Sequence, residues 1–342
     1  GCLLLFIMVV VGGITRLTNS GLSMTDWHLV TDTFPPLTEE KWSQAFEEYK
    51  KFPEYQKINI HNDFQLDDYK FIYFWEWFHR FWARLIGVVF AIPFIVFLIQ
   101  KRFRPSMVKP MLILFLLGAL QGAIGWIMVA SGLEGDAIYV KPTKLALHFI
   151  FAMGLLCYTF WFALELLVPK EKIVSSPSIR KLNIGILAVL VLQLVYGAFM
   201  AGHKAATAAA TWPDINGHII PPGMMGNNEG LLNLVDNKIT IHFIHRGLAY
   251  LLLILIILLT IRLYKVTGPS LLSKTKWWPL LLVNAQIILG IASVLWSLKI
   301  IPNQWGLFEW MAQLHQLVAM CLLLSLIWIL YLVRNNTQQN SI

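Results

Sequence analysis

The chain has 342 residues, of which 57% are hydrophobic and only 13% charged, with a mean hydropathy of +0.63. That balance excludes an ordinary soluble globular domain and indicates a polytopic, all-α membrane protein. The 27 Lys and Arg against 19 Asp and Glu give a formal charge of +8, which in such a chain reflects basic cytoplasmic loops rather than nucleic-acid binding.

Apolar runs long enough to span a bilayer, about 20 residues each, fall at 1–14, 71–99, 110–131, 144–168, 182–202, 239–261, 277–298 and 307–333. The first opens directly on apolar residues with no Met and no basic n-region, which reads as the remainder of a transmembrane helix rather than as a signal peptide. Between 15 and 70 the chain is mixed in charge, and 38–51 within it reads as a short amphipathic helix lying at the membrane surface, with Trp42, Phe46 and Tyr49 on one face. The loops 100–109, 169–181 and 262–276 carry four basic residues each. The positive-inside rule makes them cytoplasmic, and with eight spans both termini are cytoplasmic too. The opposite side receives 15–70 and 203–238; the second, with Thr211-Trp212-Pro213-Asp214 and Ile220-Pro221-Pro222-Gly223-Met224-Met225-Gly226, reads as irregular connection. Cys2, Cys157 and Cys321 all lie in apolar runs, which excludes a loop disulfide and, with no C-x-x-C-H stretch, covalent c-type haem.

An internal repeat orders these spans. His79-Arg80 is matched by His245-Arg246, Gln121 to Gly125 by Gln286 to Gly290, and Leu147-His148 by Leu314-His315, at offsets of 166, 165 and 167 residues. The chain is therefore expected to be two tandem four-helix halves, 1–168 and 182–333, related by a pseudo-two-fold axis along the membrane normal.

Of nine histidines, His28, His61, His203 and His218 fall in external loops, where solvated surface roles are expected. His79, His148, His245 and His315 occur one per helix in the second, fourth, sixth and eighth spans, a few residues past the external end. This arrangement asks for two metal centres, each held by two imidazoles facing across a four-helix bundle, and suits the axial positions of a haem iron. A carboxylate-bridged di-iron site needs paired E-x-x-H motifs, and only Glu76 to His79 provides one. Arg80, Arg84 and Arg246 lie beside the histidines, placed either to pair with haem propionates or to anchor helices at the headgroups. The halves differ at the position three before the first histidine, which is Glu76 in one and His242 in the other. Because i and i+3 share a helix face, Glu76 is expected to point toward whatever His79 binds. The first half is thus read as the site of chemistry and the second as a fixed cofactor site.

Several motifs then bring a family into view: Gly12 through Met24, Phe71 through Arg80 (Phe-Ile-Tyr-Phe-Trp-Glu-Trp-Phe-His-Arg), Gly125 through Leu133, and the His-Arg and His-Gln pairs of the sixth and eighth spans. Over nearly its whole length the chain resembles haem A synthase, the membrane enzyme that converts haem O to haem A for cytochrome oxidase. The resemblance implies a haem b cofactor on His245 and His315, substrate haem O near His79 and His148, and a functional glutamate at Glu76. It further implies oxidation of the haem O C8 methyl to a formyl group by successive hydroxylations and loss of water. The expected partners are haem O, an electron donor, haem O synthase, a second copy of the chain and the lipid bilayer, in a bacterial inner membrane. Gram-positive members carry a loop cysteine pair that is missing here, so the chain looks more like the mitochondrial and proteobacterial branch. The competing reading is a di-haem electron-transfer protein, which commonly places its haems near opposite membrane faces; here all four histidines are expected at one level.

Overall fold

The computed structural model describes residues 1–24, 34–224, 230–266, 270–301 and 304–334. Apolar runs of this length leave helix as the form that satisfies every backbone polar group without water, and helices are what form. They are α1 (Cys2–Leu17), α2 (Glu39–Tyr49), α3 (Pro53–Lys57), α4 (Leu66–Ile99), α5 (Pro105–Leu133), α6 (Pro142–Leu167), α7 (Pro177–Gly202), α8 (Asn233–Asp236), α9 (Lys238–Tyr264), α10 (Ser270–Thr275), α11 (Trp278–Trp296) and α12 (Leu307–Leu332). Among the described residues there is no strand, only an isolated bridge between Ile215 and His218. Seven helical segments are long and apolar enough to cross a bilayer: α4, α5, α6, α7, α9, Leu271–Lys299 and α12. The eighth expected run forms α1, apolar but 16 residues long. Val88, Val89, Ile92 and Ile95 on α4 stand exposed, a surface that lipid can cover and water cannot.

The chain forms two compact units, Gly1–Ala152 with Ile300–Glu309 and Met153–Lys299 with Trp310–Ile342. In the first, α1 runs against α4: Thr15 Oγ1 donates to the Trp75 carbonyl at 3.3 Å, and Trp82 Nε1 donates to the Leu4 carbonyl at 3.1 Å. At 34 residues α4 is about 51 Å long, well beyond a hydrocarbon core of about 30 Å. Its first turns are covered by protein. Gln65 and Asp68 close a reciprocal capping box at its start, and α2 packs onto it.

That packing changes the expectation for 38–51. Thr38 caps α2 by accepting from the Lys41 amide at 3.3 Å. The apolar face of α2 then enters an aromatic core of Phe46, Tyr49, Phe64, Tyr69 and Tyr73 with Met24 and Ile72. Phe46 and Tyr49 stack on Tyr69 at 5.2 and 5.1 Å. The face expected to dip into lipid is buried by α4 instead, because the aromatic start of α4 offers it a matched surface. Burial and the adjacent Glu54, which accepts from Tyr49 at 3.1 Å, push the Tyr49 phenol up.

In the second unit α7 and α9 pack along their lengths through Ile186, Leu190 and Leu194 on one side and Leu252, Ile256 and Leu259 on the other, all buried. Asn183 Nδ2 donates to the Leu326 carbonyl of α12 at 2.8 Å. Asn237 caps α9, accepting from Ile239 and Thr240 at 2.9 and 3.0 Å. The same cap sets the level of His242 and His245, one and two turns in.

Candidate haem-binding sites

Each of the four expected histidines leans on a glycine of a neighbouring helix. A methyl group on Gly12 (α1) would come within 3.0 Å of His79 Cε1, one on Gly125 (α5) within 2.9 Å of His148, one on Gly197 (α7) within 3.4 Å of His245 and one on Gly290 (α11) within 2.9 Å of His315. The glycines are therefore the cradles of the imidazoles. Within the first unit His79 and His148 are close enough to interact electrostatically. Within the second, the rings of His245 and His315 are 6.4 Å apart at 66°. Two nitrogen–metal bonds of about 2 Å plus two ring radii require a separation of about 6 Å, and the separation of this pair is close to that value.

Glu76 is 3% exposed, and its carboxylate is engaged on both oxygens. Ser23 Oγ donates to Oε2 at 2.7 Å, the Met24 amide donates to the same oxygen at 2.8 Å, and Arg80 pairs with Oε1. The Gly12 to Met24 motif acquires a purpose residue by residue. Gly12 seats His79, Thr15 fixes α1 to α4, and Asn19 turns the chain in the left-handed region at φ 53°. Ser23 and Met24 then close on Glu76. Gly132, in the third motif, has Leu22 and the Val140 amide where a side chain would stand, at 2.9 and 3.0 Å. Expected as a propionate partner, Arg80 spends one amino group on Glu76 and keeps Nη1 buried with no partner among the described residues, a donor suited to an anionic group. Arg84, one turn further along α4, is not free.

In the second unit His242 occupies the Glu76 position, fully buried with its ring near the backbone of Ala205 and Ala206. Arg246, the third expected propionate partner, donates to the carbonyls of Asp214 at 2.7 Å, Thr211 at 2.9 Å and Ala209 at 3.1 Å. It pins the second loop, which is irregular as expected, with a cis Trp212–Pro213 bond. The amide of Gly217 donates to Asp214 and holds that carboxyl below its ordinary range. His61 and His218 are exposed. His203 departs from the expected solvated role: half-buried at the end of α7, it donates through Nε2 to the Val235 carbonyl at 2.7 Å. His28, Met225 and Gly226 lie outside the described residues.

The cytochrome oxidase assembly protein family (COX15-CtaA) matches residues 1–327. The chain belongs to this family. It is 47% identical over 333 residues to the haem A synthase of Flavobacterium johnsoniae, covering 97% of this chain and 95% of the relative. It is 48% identical over 334 residues to that of Flavobacterium psychrophilum, with the same coverage. To that of Parvibaculum lavamentivorans it is 40% identical over 297 residues, covering 87% of this chain and 84% of the relative. No solved structure matches. The family and these relatives give no support to the di-haem electron-transfer reading.

Glutamines beside the histidines escaped the sequence reading. Gln121 and Gln286 entered it only as markers of the repeat, and Gln193 not at all. The amides of all three lie against histidine rings. The signal that finds them is a Gln-x-x-x-Gly spacing shared by α5, α7 and α11.

Proposed function

We propose that this chain is a multi-pass haem A synthase of a bacterial inner membrane, oxidising the C8 methyl of haem O to a formyl group. In this reading eight transmembrane helices form two tandem four-helix halves, 1–168 for the substrate and 182–333 for a haem b cofactor, with both termini cytoplasmic. His79 and His148 hold the iron of haem O; His245 and His315 hold haem b. Bound there, haem b would supply one-electron redox chemistry. The chain's further partners in this reading are an electron donor, haem O synthase and a second copy of itself. The observation that carries the reading is two glycine-cradled imidazole pairs, with the buried carboxylate of Glu76 one turn before His79 and the buried imidazole of His242 at the same position before His245.

The residues act as follows. Glycine cradles and packing hold the four imidazoles in place. The orphan N–H of Arg80 faces a propionate. Glu76 already accepts from three donors, out of about four lone-pair directions on a carboxylate. It therefore works as a fixed negative charge near the porphyrin edge, stabilising positive charge that develops as the methyl is oxidised. Burial keeps water from screening it. The test is Glu76→Ala in a strain lacking its own enzyme, with extraction of the haems: haem O is expected to accumulate while haem A disappears, and normal haem A output would remove Glu76 from the mechanism.

A further inference from the structure

Away from the histidines, the second unit holds a cleft of about 460 Å³ between the start of α7 and the end of α9, lined by Pro177, Ser178, Lys181, Leu182 and Arg262. That volume falls within the range of ordinary small-ligand sites, about 300–1,000 Å³. Arg262 lies 17 residues beyond His245, about 26 Å along the helix, so the cleft is at the opposite end of α9 from the imidazole. Among the described residues neither Lys181 nor Arg262 pairs with a carboxylate. The positive-inside rule accounts for basic residues in these loops, and not for two of them, 81 positions apart in the chain, lining one cleft. Two like charges brought together repel until an anion sits between them. One turn deeper on the same helix faces are Ile184 of α7 and Leu258 of α9, both exposed. The offset of 166 that joins His79 to His245 puts Val96 of α4 where α9 has Arg262, so the first unit has no counterpart of this arginine.

We propose that this cleft binds the headgroup of an anionic phospholipid. Lys181 and Arg262 hold the phosphate, the Ser178 hydroxyl donates to a headgroup oxygen, and an acyl chain runs down over Ile184 and Leu258. Basic pockets between membrane helices are suited to such headgroups. A zwitterionic lipid brings its own ammonium group, which the two cations repel, so the cleft selects a net negative headgroup. The bound lipid bridges α7 and α9, the helices that carry Gly197 and His245, and clamps them at the end remote from the histidine. The site depends on α7 and α9 spanning the membrane, and not on which haem each half holds.

Purified protein stripped of lipid in detergent is titrated with phosphatidylglycerol or with phosphatidylcholine, and bound lipid is counted by native mass spectrometry beside the double variant Lys181→Gln, Arg262→Gln. Wild type is expected to take up one phosphatidylglycerol ahead of all others, to show no such preference for phosphatidylcholine, and to keep that lipid in an excess of inorganic phosphate. The double variant is expected to bind it about 30-fold more weakly. Equal affinity in the double variant, or equal binding of the two lipids by wild type, overturns the proposal. Displacement by inorganic phosphate would reveal a free-anion site and overturns it too. If the double variant yields no protein, Arg262→Val takes its place, with about 5-fold weaker binding expected and unchanged binding overturning the site. No haem is read in this experiment, so its failure leaves the proposed function standing, and failure of the haem extraction test leaves the lipid site standing.

Discussion

Helices α4 and α9 carry the same His-Arg pair and use it differently. On α4 the arginine turns back to Glu76, and that carboxylate collects Ser23 and the Met24 amide, so a buried ion pair fastens the first loop to α4. On α9 Arg246 reaches the loop directly through three carbonyls, and a buried imidazole, His242, stands where the carboxylate was. Both helices fasten the loop that precedes them. If fastening were the whole task, one solution would serve twice; in the proposed function the extra carboxylate on α4 marks the half that does the chemistry.

The sharpest way to break this comparison is to remove the charge while keeping the fastening. Glu76→Gln retains an oxygen for Ser23 and Met24, and is expected to lower haem A formation by about 10²- to 10³-fold, the usual cost of one electrostatic stabiliser. Limited proteolysis of the first loop should be unchanged in the same protein. Loop cleavage rising together with the loss of activity would mean that Glu76 is a latch and no more.

Next in size are the cradles. Gly125→Ala and Gly290→Ala each place a methyl 2.9 Å from an imidazole carbon, whereas Gly197→Ala meets one at 3.4 Å. Overpacking costs about 1–3 kcal/mol, so the first two should lose haem in the first and second units respectively. Gly197→Ala should remain close to wild type. Haem content per protein, by extraction, checks the order.

The histidines and their repeat were legible because covalent spacing alone places one imidazole per helix, and a tandem copy makes four residues stand out from nine. Helix positions were legible too, with 182–202 and 307–333 expected and Pro177–Gly202 and Leu307–Leu332 formed. The destination of α2 was not. Amphipathicity reveals that a face must be covered, and is silent on whether lipid or Tyr69 covers it. Nor was the whole glutamine row: Gln121 and Gln286 keep the constant offset, but the connection from α1 to α4 is longer than that from α7 to α9 and throws α7, and Gln193 with it, out of that offset. The partners of Glu76 were hidden for a related reason: Ser23 and Met24 meet it through a loop whose path no periodicity describes.

The smallest expected effect isolates that α2 surface from the chemistry. Thr38→Ala removes the α2 cap at a cost of about 1 kcal/mol. It should lower thermal stability slightly while leaving the ratio of haem A to haem O untouched, as measured by melting and haem extraction on one preparation.

The division of labour between the halves is tested most directly by the pigment of purified His245→Ala protein, measured beside His79→Ala. The account predicts that His245→Ala loses haem b, while His79→Ala keeps haem b in full and loses bound haem O and haem A. An unchanged haem b content in His245→Ala would contradict it.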